Sequence, residues 1–92
     1  MTTLEKAINV YGEDMQLTVA AEEFSELIKE LCKHKRGAHN RKAIIEEVAD
    51  CEIMLDQIKI IFAIKEQELD MARCIKIARL IDRLEKDAET MI

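Results

Sequence analysis

Two stretches of this sequence carry the same order of side chains: Ala21-Glu22-Glu23-Phe24-Ser25-Glu26-Leu27 and Ile45-Glu46-Glu47-Val48-Ala49-Asp50-Cys51. Each reads apolar, acid, acid, apolar, small, acid, apolar. In a helix, residues three apart stand on adjacent turns of one side, so Glu23 with Glu26, and Glu47 with Asp50, form two carboxylate pairs, each able to hold one ion. A helical wheel puts Phe24 and Val48 at the centres of their apolar faces. Glu23 and Glu47 then lie about 100° away at the face edge, with Glu26 and Asp50 further round on the same side. If the two helices pack antiparallel through these faces, four carboxylates surround one small volume. Such a cluster is costly while empty, because like charges raise one another's pKa, and a divalent cation removes that penalty. Ligands that are all oxygen select Mg²⁺, Mn²⁺ or Ca²⁺ over softer metals. A single acidic pair would be an ordinary solvated helix face, and Glu22, Glu30, Glu46, Glu66 and Glu68 taken alone are no more than that. The repetition is what singles out the other four. A di-iron carboxylate site is disfavoured, because it uses Glu-x-x-His pairs and neither His34 nor His39 lies on an acidic helix.

The elements that position these acids are helices. Thr2 with Glu5 has the form of a capping box, so a short first helix is predicted from about Leu4 to Tyr11, stopping near Gly12. The second helix starts at Glu13 or Asp14 and runs to about Lys35, with Gly37 as its C-terminal cap. Its residues Leu17, Ala20, Ala21, Phe24, Leu27, Ile28 and Leu31 share one face. The stretch from Lys33 to Lys42 is the chain's one basic concentration and forms a charged turn. Asn40 is the expected N-cap of a third helix from about Arg41 to Ile64, striped by Ile44, Ile45, Val48, Cys51, Leu55, Ile58 and Phe62. Ile53, Met54, Ile60 and Ile61 fall outside that stripe, so the second half of this helix is expected to be central in a bundle or buried against a second subunit. After a polar break at Lys65 to Glu68, a last helix runs from Leu69 to about Met91.

Composition agrees. The 92 residues include no Pro, no Trp and only two Gly, which removes most of the vocabulary of turns and strands. The expected fold is all-α: one domain over residues 1–92, an antiparallel helical bundle of three to four main helices completed by dimerisation. A chain this short buries a small fraction of its surface, and self-association would add stability. The net charge of −5 and the lack of a basic stripe exclude a nucleic acid polymer as partner and favour cations. Cys32, Cys51 and Cys74 lack the spacing of a zinc site or disulfide framework and read as reduced core residues. No apolar run reaches the length of a membrane span and no leader pattern opens the chain, so a cytoplasmic protein without membrane contact is expected.

Glu22-Glu23-x-x-Glu26, a spacer of twenty residues, then Glu47-x-x-Asp50 resembles the EExxE…ExxD signature of the MazG-like all-α nucleoside triphosphate pyrophosphohydrolases. The likeness spans about Gln16 to Ile58. Gln16-Leu17 ahead of the acids, and Lys33-His34-Lys35-Arg36-Gly37 closing the second helix, look like the short single-domain members of bacteria and phages. Lys76-Ile77-Ala78-Arg79-Leu80 is similar to the family's basic helix. The resemblance implies hydrolysis of a nucleoside triphosphate to the monophosphate and pyrophosphate, with Glu23, Glu26, Glu47 and Asp50 as ligands of Mg²⁺, for which Mn²⁺ can substitute. Glu22 or Glu46 would orient the attacking water, and Lys33, Lys35, Arg36, Lys76 and Arg79 are candidate phosphate contacts. It also implies a homodimer or a homotetramer built of dimers. Two alternatives stand beside it: phosphoribosyl-ATP pyrophosphohydrolase, which has a related acidic signature, and a non-catalytic helical protein-interaction module.

Overall fold

The computed structural model describes residues 1–91, in which four helices follow one another: α1 (Thr3–Tyr11), α2 (Glu13–Lys35), α3 (Arg41–Ile61) and α4 (Glu66–Met91). There is no strand among the described residues. The backbone N–H of Glu5 donates to Thr2 Oγ1 at 3.2 Å, which starts α1 as the capping pattern predicts. Gly12, at φ +91°, ends α1 and begins α2, a turn that an L side chain would strain. Two helix ends close with the same pair of bonds. At the end of α2, Gly37 N–H donates to His34 O and Ala38 N–H to Lys33 O, with Gly37 at φ +99°. At the end of α3, Ala63 N–H donates to Ile60 O and Ile64 N–H to Lys59 O, with Ala63 at φ +50°. The third helix therefore stops three residues short of the expected Ile64, and alanine occupies the left-handed position where glycine is the usual signal.

The last helix begins three residues earlier than expected, at Glu66. Glu68 bonds back to the N–H of Lys65 at 3.0 Å and so caps the helix from inside its first turn. Asn40 stands at the N-cap position of α3, its carbonyl accepting from the Ile44 N–H at 3.0 Å, but its side chain makes no capping bond. Its amide crosses the turn and donates to Glu30 on α2, at 2.9 Å to the backbone carbonyl and 2.7 Å to Oε2.

The contacts Glu30 with Asn40 and Glu23 with Cys51 define α2 and α3 as a hairpin whose partners move apart in sequence from the turn. The helix α1 packs across both. Ala20, Cys51 and Met54 are the buried apolar residues, and Gln16 and Gln57 are buried with them. The face that α3 turns to α2 is thus Ile44, Glu47, Cys51, Met54 and Ile58, and the expected centre at Val48 is 39% exposed. Phe24 is half-buried. Of the three cysteines only Cys51 is core; Cys32 and Cys74 are exposed.

Beyond the corner, where Leu69 and Arg73 face Leu55, Ile58 and Lys59 of α3 across a small pocket, the fourth helix packs against none of the other three. All of its described side chains are exposed except Leu69, which is half-buried at the corner. The chain measures 55 × 37 × 18 Å with a radius of gyration of 17.3 Å, against about 12 Å for a compact domain of this length. No helix among the described residues is long and apolar enough to cross a membrane.

Two substitutions test these helix ends. Ala63→Gly relieves the left-handed backbone and should stabilise the fold by about 1 kcal/mol. Asn40→Ala removes two bonds to Glu30 and should cost about 1.5 kcal/mol. Urea unfolding followed by circular dichroism measures both, and opposite signs are expected.

Candidate metal centre

The hairpin register brings acids from the two repeats together. One carboxylate oxygen from each of Glu23 on α2 and Glu47 and Asp50 on α3 lies within 4.8 Å of the other two. Glu23 and Glu47 are half-buried and Asp50 is exposed, so the group opens to solvent along one flank of the hairpin. Glu47 Oε2 is buried and has no hydrogen-bond partner. A buried acceptor without a donor is costly, and few persist in folded proteins without a partner of some kind. A cation among the three carboxylates would supply that partner.

Electrostatics point the same way. Burial pushes the Glu23 carboxyl above its usual range, and the charge of Asp50, a hydrogen bond shared with Asp50, and then Glu47 and Glu26 add to the effect. Burial also raises Glu47, followed by the charges of Asp50, Glu26, Glu30 and Glu46. Directly beneath, Cys51 donates from Sγ to the Glu23 carbonyl at 3.5 Å. Burial first, then Glu23, Glu47 and Asp50, raise its thiol pKa. Cys51 therefore stays protonated and serves as packing under the acids.

Of the four expected ligands, Glu26 is outside the convergent three. Glu47 faces the middle of α2, so Asp50, about 60° round the helix, still stands at the edge of the contact. Glu23 already sits toward the edge of its own inward face, and the same 60° turns Glu26 to solvent. Its charge still acts on Glu23 and Glu47. The two acids expected to orient water, Glu22 and Glu46, are exposed beside the centre. Lys33 is held by Glu30 at 3.3 Å, and Lys35 and Arg36 are exposed on the turn. Lys76 and Arg79 stand on α4 beyond the corner where its first turns face the end of α3, so the chain does not bring them to these acids.

Glu30 is the residue that the sequence reading left among solvated charges and that the structure moves inward. Its side chain is only 13% exposed, and bonds from Asn40 and Lys33 hold it. The Asn40 bond, chiefly, keeps its carboxyl below the usual range, while its charge raises that of Glu47. A signal was present: Glu23, Glu26 and Glu30 follow at three- and four-residue steps along one side of α2.

Because the folded state raises Glu23 and Glu47, it holds their protons more tightly than the unfolded chain does. Without a cation the associated stability is present at low pH and is lost as pH rises through the raised values. In EDTA, the thermal midpoint is expected to fall as pH rises from the ordinary carboxylate range toward neutrality, and Mg²⁺ should raise it at the upper end only. Glu47→Gln should raise the neutral midpoint in EDTA above the parent's and abolish the response to Mg²⁺. A parent protein indifferent to Mg²⁺ would contradict the site.

No protein-family model, no curated protein and no solved structure matches this chain.

Proposed function

We propose that the chain is a Mg²⁺-dependent hydrolase that cleaves a nucleoside triphosphate, NTP or dNTP, between the α- and β-phosphates, releasing the monophosphate and pyrophosphate. The observation that carries this reading is the convergence of Glu23, Glu47 and Asp50 from two acidic repeats. The likeness of those repeats to the MazG-like signature supports the choice of reaction. The three residues, with Glu26 beside them, would hold Mg²⁺ or Mn²⁺, which when bound neutralises phosphate charge and lowers the pKa of a water. Glu46 or Glu22, exposed at the rim, accepts a hydrogen bond from the attacking water and orients it. Lys33, Lys35 and Arg36 at the end of α2 bind phosphate oxygens, Arg36 through its planar fork and the lysines as point charges. Lys33 then exchanges its bond to Glu30 for the substrate. Lys76 and Arg79 could join such a site only from another copy of the chain.

Phosphoribosyl-ATP as substrate would use the same acids and the same bond cleavage, and only a substrate panel separates it. A non-catalytic interaction module is the second reading, and the broad exposed apolar surface of α3 and α4 favours it.

Pyrophosphate release is expected from one or more members of a panel of NTPs, dNTPs and phosphoribosyl-ATP with Mg²⁺, and from none in EDTA. Glu47→Gln should retain its helical circular dichroism and lose roughly 100-fold or more of the turnover. A folded parent silent across the panel would reject the enzymatic reading in favour of the module.

A further inference from the structure

We infer that the corner between α3 and α4 is a binding site for a small amphipathic anion, an alkyl carboxylate whose chain lies among aliphatic side chains and whose head meets Lys59 and Arg73. The left-handed backbone at Ala63 and the bond from Ile64 N–H to Lys59 O make this corner, and beyond it α4 departs from α3 instead of folding back on it. Leu55, Ile58 and Lys59 from the end of α3, Ile64 from the turn, and Leu69 and Arg73 from the start of α4 line a cavity of about 310 Å³. Ligand pockets start at about this size, and since a dry cavity of about 150 Å³ holds benzene, one twice as large takes an alkyl chain of about ten carbons.

Charge selects the sign of the occupant. The chain as a whole carries −5, yet both charged residues of this lining are cations. Lys59 lies 3.6 Å from Asp56, and Arg73 Nη1 lies 2.7 Å from Asp70, but these carboxylates are more than half exposed and neither lines the cavity. Such surface pairs hold weakly. Arg73 meets Asp70 through one nitrogen, which leaves guanidinium donors for a second carboxylate. The other four lining residues are aliphatic, with no aromatic, amide or hydroxyl side chain to stack on or read a base, so a nucleotide does not fit. An inorganic anion would leave the aliphatic surface wet, and a neutral hydrocarbon would leave both cations unused. An alkyl carboxylate uses both. The site is also separate from the three acids, because Lys59 stands nine residues beyond Asp50, about 13 Å along the helix. Since the lining comes from both helices, an occupant ties α4 to α3.

This inference does not rest on catalysis, and a titration without nucleotide or metal tests it. Decanoate below its micelle concentration is the probe, with decanol and decyltrimethylammonium as its neutral and cationic counterparts. In amide and methyl spectra of the isotopically labelled full chain, decanoate should saturate at one per chain and shift Leu55, Ile58, Ile64 and Leu69 first. Decanol should bind roughly tenfold more weakly or worse, and the cation should not bind at the corner. Lys59→Gln with Arg73→Gln should lower the decanoate affinity to that of decanol and leave decanol unchanged. Leu55→Trp, at an exposed position, fills the cavity and should abolish binding of both while keeping the helical circular dichroism. Equal affinity for all three amphiphiles, shifts that begin along Ile77, Leu80 and Leu84 instead, or a corner that stays silent because a second copy occupies it would each overturn the proposal.

Discussion

Three carboxylates meeting across two helices repel one another, and the packing of α2 on α3 holds them there regardless. Glu47 is not a surface acid that happens to lie near others. It occupies the middle of the α3 contact face, in line with Ile44, Cys51, Met54 and Ile58. The hydrophobic contact that forms the hairpin is therefore the same contact that compresses the charges. Burial and like charge together raise Glu23 and Glu47, and one Glu47 oxygen is left without a donor. A hairpin built for stability alone would place an apolar residue at that position. Storing electrostatic strain in the folded scaffold and releasing it on cation binding is the arrangement from which the proposed chemistry follows.

The turn fixes the relative height of the two acidic repeats. Gly37 reverses the chain, and Asn40 then reaches back to Glu30, which sets the register at the turn. That brings Glu23 to Cys51, and with it to Glu47 and Asp50. Glu30 belongs to this framework, because its ionised carboxylate anchors Asn40 while adding to the negative potential at Glu47. The basic side chains of the turn lie beyond it, at the end of α2.

The helical class, the first two helices and the paired acidic repeats were all legible in the sequence. Thr2, Gly12 and Gly37 mark their boundaries by side-chain type, and the structure uses each as its type suggests. Where a boundary uses an unusual residue, the pattern misled: Ala63 closes α3 in a position that glycine normally takes, and α4 starts at Glu66 with Glu68 accepting from the N–H of Lys65 just before it. The orientation of α3 was also hidden. With isoleucines and leucines around most of its circumference, a wheel gives no unique inward side, and it put Val48 at the centre where the structure has Cys51. Only the bond from Cys51 to Glu23 and the burial of Met54 and Gln57 reveal which side meets α2. The excess apolar arc was itself legible. It faces outward in the single chain, and α4 stands free beside it.

The most direct test of the centre is Mn²⁺-induced line broadening in the amide spectrum of the isotopically labelled protein, since the paramagnetic ion reports its own location. Broadening should begin at Glu23, Glu47 and Asp50 and reach the acids of α4 only at much higher Mn²⁺. If the acids at the start or end of α4 broaden first, or all surface acids broaden together, the three carboxylates do not form a cation site and the proposed chemistry loses its foundation.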